Sequence, residues 1–174
     1  MRAFRIVPEK FARDLSGAGA KLAGGRWNPK GHALIYTSTT AALAALEVLV
    51  HINWDLLENF FLVEIDVADS LILDLRTFFG IAPSTKLPLP DNWNVSPPSP
   101  ALSVLGEKWI TSLASLGLLV PSAHFPDGPD QNLLLNPAHP QFAAEVKIST
   151  VSEFRYDSRL KKYGSITQTK VPGA

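Results

Sequence analysis

Hydrophobic residues fall along this chain in short runs bounded by polar or turn-forming residues. Seven of those runs have the length and the β-branched or aromatic content of strands: 3–7 (AFRIV), 33–37 (ALIYT), 60–67, 71–75, 118–122, 132–135 and 144–150. Two longer stretches read as helices. Ser38, Thr39 or Thr40 can cap a helix running to about Ile52, and Ser99 can cap one with Pro100 in its first turn, reaching Leu116 with Gly117 as its stop. Mixed strands with only two substantial helices predict an α+β fold rather than a regular strand–helix alternation.

Between these elements the pattern breaks in three places. Residues 16–31 (SGAGAKLAGGRWNPKG) are dense in glycine without helical or strand periodicity and predict an extended, turn-rich loop. Residues 77–100 contain six prolines, which disfavour helix and central strand, so this stretch reads as a covering loop around Trp93, a candidate lid. The weakly apolar end, 161–174, reads as a flexible tail after one domain spanning 1–160.

Composition narrows the function classes. A chain of 174 residues, 46% apolar, is long enough for one core. Cysteine is absent, which excludes disulfide scaffolds, cysteine nucleophiles and Cys-based zinc sites, and none of the four histidines has HExxH spacing, so no metal site is expected. The basic N-terminus lacks the long apolar core of a cleaved leader, and the longest apolar-rich run, 41–52, is too short to span a bilayer and carries Glu47 and His51. A cytoplasmic protein is the default expectation. Charge is balanced overall but unevenly spread: seven basic against two acidic residues in 1–30, three against twelve in 31–146, six against two in 147–174. Nucleic acid would require one basic surface. Arg26, set among glycines, instead suits a small phosphate-bearing ligand, and no direct nucleic-acid binding is expected.

Glu47 is the sharpest chemical feature. From 41 to 52 only Glu47 and His51 are polar (AALAALEVLVHI), and a helix apolar around most of its circumference is normally enclosed on several sides. A carboxylate there needs compensation, because lost hydration penalises its charged form. His51, one turn onward, is a candidate neighbour. Two readings stand: a rim salt bridge, for instance with Arg26, or an acid on a cleft wall facing a polar or cationic ligand. In GGRWNPKG, Gly24 and Gly25 permit close backbone approach, Trp27 can anchor the loop, and Arg26 can donate two hydrogen bonds to a diphosphate or pair with a core acid. Tyr36 can face the cleft or pack in the core with a tethered hydroxyl. Ser122 and His124, in VPSAH, lack the GxSxG context of a hydrolase nucleophile. Ser122 reads as a donor to phosphate or ribose, or as a turn cap, and His124 as a polar contact. Asn136 and His139, in LNPAHP, are weaker candidates that can equally hold a turn together.

These features resemble the RES family, the toxins of bacterial RES–Xre toxin–antitoxin modules. The matching segments are FRIV, GGRWNPKGHALIYTSTTAALAALEVLVHI, VPSAHFP and NLLLNPAHPQF, spread in the expected order to about Tyr156. The resemblance equates the family's arginine, glutamate and serine with Arg26, Glu47 and Ser122, and its intervening tyrosine with Tyr36. It implies a compact, mixed-sheet, ADP-ribosyltransferase-like fold with flanking helices. It also implies an enzyme that cleaves the nicotinamide–ribose bond of NAD⁺, a substrate rather than a retained cofactor, with water or inorganic phosphate as acceptor. The implied partner is an Xre-type antitoxin covering the active site, and a homo-oligomer is compatible with it. Transfer of ADP-ribose to a macromolecule and noncatalytic nucleotide binding are the alternatives.

Overall fold

The computed structural model describes residues 1–51, 59–82, 87, 89–126 and 128–160. Seven strands form one mixed sheet: β1 (Arg2–Pro8), β2 (Ile35–Ser38), β3 (Phe60–Val67), β4 (Ile72–Asp74), β5 (Gly117–Pro121), β6 (Gln131–Leu135) and β7 (Val146–Phe154), in the order β4-β5-β6-β2-β1-β3-β7. All neighbours run antiparallel except the β4–β5 pair. Each of the seven predicted runs became a strand, and the fold is mixed α+β.

The sheet is strongly curved, and chain length requires it. β3 and β4 lie five strand spacings apart in the ladder, about 24 Å across a flat sheet. Residues 68–71 are all that join them, and the five Cα steps from Val67 to Ile72 reach at most about 19 Å. Curling brings the ends together, and Leu71, Val67 and Val146 accordingly share one core.

Both faces of the sheet are covered, which is why Leu133, Leu134 and Leu135 of β6 follow one another without polar alternation. Leu133 and Leu135 enter a core with Ile35, Val63 and Ile65, while Leu134 points the other way and joins Leu34, Leu118, Val120 and Trp27. Helix α4 (Pro100–Ser112) closes the second core with Leu102, Trp109 and Ile110. The proline-rich stretch contributes Leu87, Leu89 and Trp93 to that same core, so its described part does cover the face.

Several local expectations are corrected. The supposed loop 16–31 contains helix α1 (Ala18–Ala23), delimited by Gly17 and Gly24, both at positive φ. Ser16 accepts the Ala18 amide, and the AGAKLA run between the glycines holds three alanines, the best helix former. Helix α2 (Ala41–Leu49) is capped by Thr40, whose Oγ1 accepts the Leu43 amide at 3.2 Å, but it stops short of Ile52; residues 52–58 lie outside the described residues. It is also less enclosed than its composition suggests: only Leu43 and Ala44 are buried, because it packs against β1 and β2 on one side. Two short helices, α3 (Leu75–Phe78) and α5 (Phe142–Glu145), occupy ground expected to be loop and strand. α4 ends at Ser112 with Leu113 in the left-handed region, and Gly117 begins β5 instead of stopping the helix. A side chain at Gly117 would press on Ile72 and Leu133 of the flanking strands. The predicted tail, 161–174, lies outside the described residues. No helix among those described is long and apolar enough to cross a membrane.

Candidate active site

Glu47 sits on α2, the helix that follows β2, and its first turn is fastened to the start of β6. The Thr39 hydroxyl exchanges hydrogen bonds with the Gln131 backbone, and Thr40 Oγ1 donates to Asp130. The carboxylate is thereby aimed at the ends of β5 and β6. Its Oε1 accepts two hydrogen bonds, both 2.7 Å, from Ser122 Oγ just beyond β5 and from Asn132 Nδ2 within β6. Its Oε2 lies 3.3 Å from His124 Nε2. The side chain retains 27% of its exposure, so it forms part of a wall and is not sealed in the interior.

The groups that hold it are themselves held. Ser122, 1% exposed, accepts the backbone amides of His124 and Phe125. With its proton directed at Glu47, Ser122 orients the acid, and the two amides it accepts make it also the turn cap that was one of its two sequence readings. Asn132 Oδ1 accepts from buried Ser38 at 2.8 Å, which fixes the amide so that its nitrogen must face Glu47. Asn132 had been noticed only as part of an apolar run; its contact crosses 85 residues of sequence and left no local signal. His51 lies exposed just past α2 and meets the ring of His124 edge-on at 5.9 Å, so its link to the cluster runs through that histidine.

Arg26 is presented by a tight turn in which the Gly25 amide donates to the Asn28 carbonyl. Trp27 is driven into the second core, 2% exposed, which turns the neighbouring guanidinium outward. The turn is braced by Asn28, fully enclosed, whose Nδ2 donates to the carbonyls of Ala20, Pro29 and His32. Asn28 is a second residue that sequence reasoning passed over, hidden inside a motif read for its glycines and arginine. Arg26 donates to the carbonyls of Trp93 and Val95, tying the proline-rich stretch to the site. Burial holds the guanidinium below its ordinary pKa, and the negative charge of Glu47 acts in the opposite direction.

Tyr36 occupies the strand before α2 with its hydroxyl tethered at both ends: it donates to Asn28 Oδ1 at 2.8 Å and accepts the Trp27 amide at 3.0 Å. Burial pushes this phenol up to about 12, so it stays neutral. Of its two sequence readings, the tethered core tyrosine describes its position. Gly25 makes the contact possible, since a Cβ there would lie 2.5 Å from the Tyr36 oxygen. Gly25→Ala is therefore expected to lose about 1–3 kcal/mol of stability. Thermal melting should show a fall of roughly 3–10 °C, and an unchanged midpoint would mean that the turn relaxes freely.

Asn136 is placed elsewhere. Fully buried, it follows β6 at the end opposite Asn132, about 13 Å along the strand. Its side chain bonds the Ile110 carbonyl and the Ala138 amide, holding the NPAH turn against α4, while His139 Nδ1 accepts the Gln141 amide. Among the described residues no three histidine or carboxylate side chains cluster closely enough to hold a metal ion.

The comparisons with known proteins agree with one another. The model of the RES domain matches residues 2–157. The chain is 41% identical to "Toxin Res" of Yersinia enterocolitica serotype O:8 over 164 residues, covering 92% of this chain and all of that one. It is also 41% identical to the "Prs ADP-ribosylating toxin" of Sphingobium sp. strain YBL2, over 86% of this chain and 88% of the relative. Among solved structures it resembles the fold in the M. tuberculosis MbcT–MbcA toxin–antitoxin complex, with a TM-score of 0.68 at 21% identity, covering 97% of this chain and 89% of that one. With a family model spanning nearly every described residue, and near-full-length relatives at this identity, the chain belongs to the RES domain family.

Proposed function

We propose that this protein is the toxin of a toxin–antitoxin pair and that it cleaves the bond between nicotinamide and ribose in NAD⁺, with water or inorganic phosphate as acceptor. One observation carries the reading: a partly exposed carboxylate is fixed by two neutral donors on one oxygen, with a guanidinium within its field. The relatives' names supply the toxin and the ADP-ribose chemistry.

The chemistry suits that arrangement. Nicotinamide departs neutral from a cationic pyridinium, so its departure needs no proton. What needs stabilising is the positive charge that grows at the anomeric carbon as the bond breaks. Glu47, fixed in direction by its hydrogen bonds before substrate arrives, meets that charge without reorganising. The bonds to Trp93 and Val95 engage two of the five N–H donors of Arg26, which leaves others to donate to the substrate diphosphate. Tyr36 serves by holding the turn that presents Arg26. Water or phosphate then attacks the anomeric carbon. A toxin of this kind requires restraint in the producing cell, and an Xre-type antitoxin seated over Glu47 supplies that; MbcT is seen in complex with its antitoxin MbcA.

A second reading has one specific support, the relative named as an ADP-ribosylating toxin. In that reading the ribosyl group passes to a macromolecule. Purified protein with adenine-labelled NAD⁺, in phosphate-containing and phosphate-free buffer, separates the outcomes. We expect ADP-ribose without phosphate or ADP-ribose-1″-phosphate with it. Label retained on protein or nucleic acid would establish transfer, and intact NAD⁺ in both buffers would overturn the enzymatic reading.

A further inference from the structure

The two oxygens of Glu47 are not equivalent. Oε1 already accepts from Ser122 and Asn132, whereas Oε2 faces His124 Nε2 at 3.3 Å, slightly beyond a well-formed hydrogen bond. His124 is itself constrained, because its amide is tied to Ser122 Oγ and its ring is flanked by His51. The Ser122 hydroxyl and the Asn132 amide are neutral, so they aim the carboxylate without cancelling its charge. A positively charged group bonded to Oε2 would cancel it.

We propose that His124 is a positioning residue that acts as a neutral donor to Glu47 Oε2, completing a three-donor cradle and leaving the outer lone pair of that oxygen for a ribose hydroxyl. This rests on the proposed NAD⁺-cleaving role of Glu47. Orienting contacts of catalytic groups are often this long until substrate binds. Arg26 takes no part in the cradle, because its bonds go to the Trp93 and Val95 carbonyls. The feature that matters is therefore a donor without a charge at position 124.

Three replacements in the full chain separate donor from charge. His124→Ala is expected to lower kcat for nicotinamide release about ten- to hundredfold, the weight of one hydrogen bond to a charged group, with KM changed less than about threefold. His124→Gln, whose amide can reach the position of Nε2, should recover most of that loss. His124→Lys, a donor with a fixed positive charge, should fall at least as far as His124→Ala. The inference is overturned if the glutamine variant drops to the alanine level, if the lysine variant retains wild-type kcat, or if the loss appears in KM alone. Melting curves and titration with ADP-ribose report whether each variant folds and binds; should the alanine form unfold early, the glutamine–lysine contrast decides. Glu47→Gln, run alongside, isolates the underlying reading. If it slows turnover as expected while His124→Ala keeps the parent's kcat, only the role of His124 fails; if it leaves turnover intact, the role of Glu47 fails first.

Discussion

The Glu47→Gln protein is expected to fold, to bind NAD⁺, and to release nicotinamide about 10²–10³-fold more slowly than the parent, the range seen when a pre-aimed electrostatic group is removed from a developing charge. The substitution conserves volume, and the amide oxygen of glutamine can still accept from Ser122 and Asn132, so those hydrogen bonds are kept. What disappears is the negative charge, together with the acceptor at the Oε2 position, where an NH₂ would now face His124. Because the lost interaction strengthens as the glycosidic bond breaks, the deficit belongs in kcat and not in KM. Stopped assays of nicotinamide formation at saturating NAD⁺, paired with melting curves, measure it. Turnover within a few-fold of the parent would remove Glu47 from the chemistry.

Gly106→Ala is expected to be the most destabilising single-methyl change in the described chain, although helix propensity alone predicts a gain of about 1 kcal/mol for alanine in a helix interior. Gly106 lies in the middle of α4 where the helix rests on the backbone of Trp27. A Cβ there would stand 1.8 Å from the Trp27 carbonyl oxygen and 2.7 Å from its carbon. Those atoms are main chain and cannot rotate aside, so either α4 or the turn carrying Arg26 must move. Overpacking ordinarily costs about 1–3 kcal/mol, and a backbone clash this deep belongs in the rare class above about 4 kcal/mol. The melting midpoint should fall by roughly 10 °C or more. NAD⁺ turnover should fall as well, because displacement of Trp27 displaces Arg26. A midpoint equal to or above the parent's would show that propensity outweighs the contact and that α4 does not press on Trp27 as described.

The two effects illustrate how unequally the molecule was legible beforehand. Strand content was accessible because alternation, β-branching and flanking turn residues act within a few positions of one another. The start of α2 was accessible for the same reason, since the Thr40 cap and the helix it caps are adjacent. Glu47 and Arg26 stood out as polar groups in settings that make them costly or poised. Local signals failed where neighbours in space decide. Six residues between two glycines form α1, which glycine density concealed. Gly117 looked like the end of a helix and is the first residue of a strand squeezed between Ile72 and Leu133.

Taken alone, the sequence determined the class of fold and the approximate positions of its strands, and it singled out Glu47 and Arg26 as candidate chemical groups, since each depends on residues near in the chain. Only the tertiary structure decided the strand order, the curvature that brings β3 and β4 within reach of a four-residue link, and the way the carboxylate is held. Ser122 and Asn132 reach Glu47 across 75 and 85 residues, and contacts that distant follow from how the whole sheet closes and from no pattern a local reading can detect.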